Sequence, residues 1–203
     1  MFNVFLSHIT SDREYASELK NELAFFGITS FVAHEDIHPT QQWVQEIETN
    51  LNDMNLLIAL MVPEYKNSVW CGQEAGVAIG KNISVYSIDR GLKPAGFLSA
   101  KQSFYGINKP ARELALDIVE VAINDEGISK SLLDVLVEKF NNSSSYEMTR
   151  RLINVIRQSK LIEKNHVDLM KSAYSTNSQI SDCFDVELDE LDELDRLINK
   201  NVL

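Results

Sequence analysis

The sequence predicts an α/β protein: a five-stranded parallel sheet of the flavodoxin-like order 2-1-3-4-5, with helices on both faces, followed by an all-helical C-terminal extension. Three observations lead there. Strand and helix patterns alternate strictly over residues 1–126 with short links, the signature of parallel βαβ units. The run "NLLIALMV" (Asn55 to Val62) is apolar at almost every position, as a strand covered on both faces must be. From Gly127 onward the periodicity is helical, and no strand-like run recurs. Five strands in this length favour the order 2-1-3-4-5.

The elements follow in order. "FNVFLS" (Phe2 to Ser7) is a short run of β-formers. Ser11 or Asp12 can cap the helix "REYASELKNELAFF", which Gly27 ends. Its apolar positions Ala16, Leu19, Leu23 and Phe26 recur at three and four, so one face is buried. "ITSFVA" (Ile28 to Ala33) is the second strand. The polar loop "HEDIHPTQ" precedes a helix from Gln41 to Met54, and the third strand is the apolar run already quoted. "VWCGQEAGVAIGKN" reads as a helix of small and apolar residues ended by Gly80. Its glycines Gly72, Gly76 and Gly80 are expected to let it approach the sheet closely. "ISVYSI" (Ile83 to Ile88) is the fourth strand. An irregular connection through Pro94 and Gly96 leads to a weak edge strand over Gln102 to Tyr105. A helix from Pro110 to Asn124 closes the block.

Charge supports a division into residues 1–126 and 127–203. The first block holds 9 lysines and arginines against 17 acids. Residues 127–181 hold 8 against 5, and residues 182–203 hold 2 against 8. In the second block "SLLDVLVEKF" and "YEMTRRLINVIRQS" are helices joined through "NNSSS". A third runs from Ile162 or Asn165 to Tyr174, and "DVELDELDELDRLINK" forms an acidic helix with a leucine stripe. That stripe either covers core or docks on a partner.

Several functions are excluded. The net charge of −11 argues against non-specific binding to nucleic acid or anionic membrane. Two cysteines, Cys71 and Cys183, are too few for a disulfide framework or a zinc site, and no metal or other cofactor is expected. Neither G-x-G-x-x-G after the first strand nor G-x-x-x-x-G-K-[ST] occurs, which removes the dinucleotide fingerprint and the P-loop. No apolar run reaches membrane-spanning length and the first residues do not read as a signal peptide, so a cytoplasmic location is expected.

In an open parallel sheet ligands bind beyond the carboxyl ends of the strands, where strand order reverses. Three segments converge there: Ser7 and His8 after the first strand, "HEDIHP" after the second, and the stretch leading into the helix of Trp70 and Glu74 after the third. Trp70 and Glu74 are four apart and share a helix face. A tryptophan beside a carboxylate excludes water and raises the acid's pKa by desolvation. Singly, each residue has an ordinary reading: Trp70 as core, Glu74 as a cap or a lysine partner, His8 and His34 as loop histidines.

Taken together, "NVFLSHITSDREYASELKNELAFFGITSFVAHEDIHP" and "SVWCGQEAGVAIG" resemble a Toll/interleukin-1 receptor (TIR) domain of the bacterial kind, over residues 2–125. "VFLSH" looks like the first box, "FVAHEDI" like the entry to the BB loop, and Trp70–Glu74 like its W-x-x-x-E motif. The resemblance implies cleavage of the nicotinamide–ribose bond of NAD+, with Glu74 catalytic, within bacterial antiphage defence. It implies ribose or phosphate contacts from Ser7 and His8, and a ring of substrate against Trp70. Trp43 either stacks on a ring or packs in the core. His34, Glu35, Asp36 and Ile37 would lie in the BB loop, which closes on ligand or joins copies into a homo-oligomer. The product would be ADP-ribose or a signal derived from it, read by a downstream effector. Ala33 and Thr10 depart from relatives that carry charge there, and no arginine lies in the three segments. Two alternatives stay open: a TIR scaffold that binds only other TIR domains, and an enzyme resembling nucleoside deoxyribosyltransferases, whose related fold also uses a glutamate. The tail from 127 resembles no family.

Overall fold

The computed structural model describes residues 1–33, 43–183 and 191. They divide into two compact units, one of residues 1–24 and 28–118, the other of residues 25–27 and 119–203. The division falls inside a helix, earlier than the charge change at residue 126.

The first unit contains the sheet. Strands β1 (Asn3–Ser7), β2 (Thr29–Phe31), β3 (Leu56–Met61), β4 (Ser84–Asp89) and β5 (Phe104–Tyr105) pair in the order β2-β1-β3-β4-β5, all parallel. The predicted order is the observed one. Every residue of β3 is buried, as its unbroken apolarity requires of a central strand. β2 and β5 are shorter than the predicted Ile28 to Ala33 and Gln102 to Tyr105, and each lies at an edge with one ladder of partners. The helices of this unit are α1 (Arg13–Phe25), α2 (Trp43–Asp53), α3 (Val69–Gly80) and α4 (Ala111–Ala122), the last of which straddles the division.

On one face Phe5, Phe31, Leu57, Ala59 and Met61 meet Ile47 and Leu51 of α2 and Cys71 and Ala78 of α3. Because side chains alternate along a strand, Ser7 points to the same face as Phe5, and therefore toward α3. The α3 residues Cys71, Glu74, Ala75 and Ala78 are buried, a three-and-four spacing that defines its inner stripe.

One sequence expectation is overturned here. A Cβ on Gly72, Gly76 or Gly80 would meet nothing within 4 Å, so these glycines face open space and do not bring α3 closer to the sheet. The close approach lies at Gly106, where a Cβ would come 2.5 Å from Ile88 Cγ2. Asp12, which directly precedes α1, is also an ion-pair partner. Its carboxylate accepts from Arg90 Nε at 2.8 Å and Nη2 at 2.9 Å. The guanidinium also donates to the Gly106 carbonyl and lies 3.4 Å from the centroid of the Tyr15 ring.

The second unit is helical: α5 (Ser129–Asn141), α6 (Tyr146–Ile156), α7 (Lys164–Thr176) and the single turn α8 (Ser178–Ser181). Leu132, Leu133, Leu136, Phe140, Leu152, Ile153, Ile156, Val167 and Met170 form its core. Ser145, the last residue of the "NNSSS" junction, caps α6 by accepting from the Met148 amide. His166 accepts from the Glu163 amide through Nδ1 and donates from Nε2 to Asp134. Of the acidic helix expected near the end, Leu191 alone is described, and it is buried.

Candidate functional site

Glu74 sits on the inner stripe of α3, where its neighbours are apolar. Its side chain is 6% exposed. Such a carboxylate needs a partner, because an unpaired buried charge is costly. Ser7, the last residue of β1, supplies it: the Ser7 hydroxyl donates to Glu74 Oε2 at 2.6 Å. The phenol of Tyr65 lies 2.7 Å from the same hydroxyl. Tyr65 belongs to the 3-10 turn Pro63–Asn67 that links β3 to α3 and is 3% exposed. Burial pushes the Tyr65 phenol above its ordinary value, with the bond to Ser7 opposing the rise. Burial likewise pushes Glu74 up to about 6, and the Ser7 hydrogen bond opposes it. At pH 7 about nine carboxyls in ten are still ionised.

α3 begins just before the acid. Ser68 caps it by accepting from the Cys71 amide, and the buried Cys71 thiol donates toward the His8 carbonyl at 3.5 Å. Burial raises the Cys71 pKa, which keeps the thiol in its neutral form. His8 Nδ1 donates to the Leu6 carbonyl at 3.0 Å, which fixes the imidazole at the end of β1.

Of these residues, Glu74, Ser68 and His8 line a cavity of about 340 Å³, together with Leu6, Ile9, Thr10, Ala33, Trp43, Ile47 and Trp70. Four of the residues singled out in the sequence therefore share one wall: His8, Trp43, Trp70 and Glu74. The two tryptophans are half-exposed, at 37% for Trp43 and 45% for Trp70, so neither is spent on the core. An apolar groove of about 520 Å³ continues from it between α2 and α3, past Val44, Leu51, Gly76 and Val77, and shares Trp70 and Glu74.

One assignment needs correction. Ser7 is fully buried, so it cannot touch ribose or phosphate as expected; its hydroxyl holds the carboxylate instead. His34, Glu35, Asp36 and Ile37 lie outside the described residues. Tyr65 was missed by sequence reasoning. A hydroxyl-bearing aromatic just past the most apolar strand, at the carboxyl edge of a parallel sheet, was the available signal. No arginine or lysine lines the cavity among the described residues, neither Arg13 nor Lys66, which stand closest to its lining in the chain, and Arg90, just past β4, is paired with Asp12. Among the described residues no group of three or more His, Cys, Asp or Glu side chains could hold a metal ion.

Residues 4–105, half of the chain, match the family model described as TIR domain. The chain belongs to the TIR domain family. Comparison with curated proteins gives no match. Among solved structures, the TIR domain of the Toll-related receptor TRR-2 from the lower metazoan Hydra magnipapillata is similar at 21% identity, over 59% of this chain and 95% of that one, with a TM-score of 0.49. Within the TIR domain of this chain, the Ser7–Glu74 pair and the cavity wall fall inside the matched residues, while α5 to α8 lie beyond them. No helix among the described residues is long and apolar enough to cross a membrane.

Proposed function

We propose that this TIR domain cleaves the nicotinamide–ribose bond of NAD+. One observation carries the reading: a buried carboxylate is held by a hydroxyl on the wall of a cavity it shares with two half-exposed tryptophans. A glycosidase acting on a sugar oxygen ordinarily needs a second acid to protonate the leaving group. Nicotinamide in NAD+ needs none. Its ring nitrogen is already cationic, and when the C1′–N bond breaks the electron pair returns to that nitrogen and the base leaves neutral. Positive charge moves onto the ribose. A fixed anion there is worth most in the transition state, at about 3–4 kcal/mol for one preorganised group.

The roles follow from position. Glu74 is the catalytic residue. Its only hydrogen bond among the described residues uses Oε2, so Oε1 is the oxygen assigned to the substrate. Trp70 and Trp43 offer flat surfaces to a ring, and His8 a polar contact. Water attacking the ribosyl cation gives ADP-ribose and a proton; attack by another nitrogen of the same molecule gives a cyclic product. Either outcome consumes NAD+, and the product would act as a signal to a downstream effector in antiphage defence.

The cavity lacks a cation for the diphosphate among its described residues. An assembly in which a second copy completes the site supplies one, and members of this family assemble through their TIR domains. Specific activity should then fall on dilution. The same lack favours a second reading, a scaffold that only assembles. Incubation with NAD+ and measurement of nicotinamide, with Glu74→Gln as control, separates the two: equal inertness of both proteins under assembling conditions favours the scaffold.

A further inference from the structure

Three hydroxyl-bearing or acidic groups stand in line: Tyr65, Ser7 and Glu74, at 2.7 Å and 2.6 Å. All three are buried, and they come from the β3–α3 turn, the end of β1 and the inner stripe of α3. Ser7 lies between and has one proton to give. An ionised carboxylate can only accept. The Ser7 proton must therefore point at Glu74, which leaves a Ser7 lone pair for the Tyr65 phenol. The phenol does not ionise in any range the protein meets, since burial raises it. It is a permanent donor. Proton counting thus fixes a single direction for the chain: Tyr65 O–H to Ser7 Oγ, Ser7 O–H to Glu74 Oε2.

We propose that Tyr65 is a positioning residue, whose phenol locks the Ser7 hydroxyl into donating to Glu74 and so holds the carboxylate with Oε1 toward the cavity. Without the phenol, the Ser7 oxygen loses the donor that anchors it, and the carboxylate loses part of its orientation and stabilisation. Hydrogen bonds in a chain polarise one another, so the outer donor strengthens the inner bond. The site's chemistry rests on the proposed NAD+ cleavage; the chain itself does not.

The test is a double-mutant cycle on Tyr65→Phe and Ser7→Ala, read on the Glu74 carboxyl directly. Full-length protein labelled with 13C at the glutamate carboxyl is titrated by NMR, and the resonance absent from Glu74→Gln identifies the residue. Tyr65→Phe keeps the ring and its packing, and removes one oxygen. In the wild-type background it should raise the Glu74 midpoint by about half a pH unit or more, the scale of one neutral hydrogen bond. In the Ser7→Ala background it should have almost no further effect, because the path is gone. Equal shifts in both backgrounds would show that Tyr65 acts on Glu74 without Ser7 and would overturn the proposal. So would an unmoved midpoint in Tyr65→Phe. Neither result requires turnover, so an inert wild-type protein would sink the NAD+ reading and leave this one standing. Where turnover is seen, the acid limb of the rate profile should move with the NMR midpoint.

Discussion

Replacing Glu74 with glutamine should make the protein more stable at neutral pH while abolishing turnover. The magnitude follows from the site. Burial raises the carboxyl from its ordinary 4.5 to about 6. A shift of about 1.5 pH units at 1.36 kcal/mol each means that the ionised side chain costs the fold about 2 kcal/mol. The sign is fixed by the direction. An acid raised in the folded state imposes no penalty below pH 4.5, where it is neutral both folded and unfolded. The penalty grows as pH rises from 4.5 to 6 and is full above that. Glutamine has the same shape, cannot ionise, and still accepts from Ser7 through its amide oxygen. Urea unfolding of the two proteins at pH 7.5 should therefore favour Glu74→Gln by about 2 kcal/mol, and at pH 5 by about 0.8 kcal/mol. All other titrating groups are common to both proteins and cancel in the difference. A difference that is zero, or the same at both pH values, would refute the claim that a desolvated anion is maintained at this position.

Three further outcomes are expected. Ser7→Ala removes a hydrogen bond to a charged group, worth about 1.5–3 kcal/mol, so the acid limb of nicotinamide release should climb by about 1–2 pH units, with activity recovering in alkali; a pH-independent loss would contradict the buried placement of Ser7. Trp70→Ala should raise KM by about tenfold or more, as lost stacking would, with Tm nearly unchanged because the ring is half-exposed; a large fall in Tm would show that it packs as core. Arg90→Ala leaves Asp12 buried without its bidentate partner and should destabilise the first unit by about 3 kcal/mol in urea; an unaltered midpoint would remove Arg90 from the account of the fold.

Strand order was legible because its cause is local. Apolar runs separated by helical periodicity force parallel pairing, and the buried run of β3 could only be central. The end of α3 at Gly80 was legible too, whereas Ser68, whose side chain caps its start, was not singled out in the sequence. Which way α3 faces was not legible. Spacing shows that Gly72, Gly76 and Gly80 share a stripe, but whether the stripe meets the sheet depends on neighbouring residues, and here Cys71, Ala75 and Ala78 supply the larger buried face. Glu74 and Trp70 were legible as a pair because four residues is one helical turn. Tyr65 was not, because its partner Ser7 is 58 residues away in the chain and the contact exists only once β1 and β3 lie side by side. Asp12 shows the same limit: a capping candidate by position, it also binds a guanidinium 78 residues distant that no local spacing reveals.

The most direct test is the release of nicotinamide from NAD+ by wild-type protein and by Glu74→Gln, at pH 7.5 and at concentrations where light scattering shows assembly. Nicotinamide should accumulate with the wild type and fall by at least about a hundredfold with the variant, the loss of one preorganised charge. Equal release by both proteins would contradict the role given to the carboxylate, and no release from either would leave an assembling TIR domain without chemistry of its own.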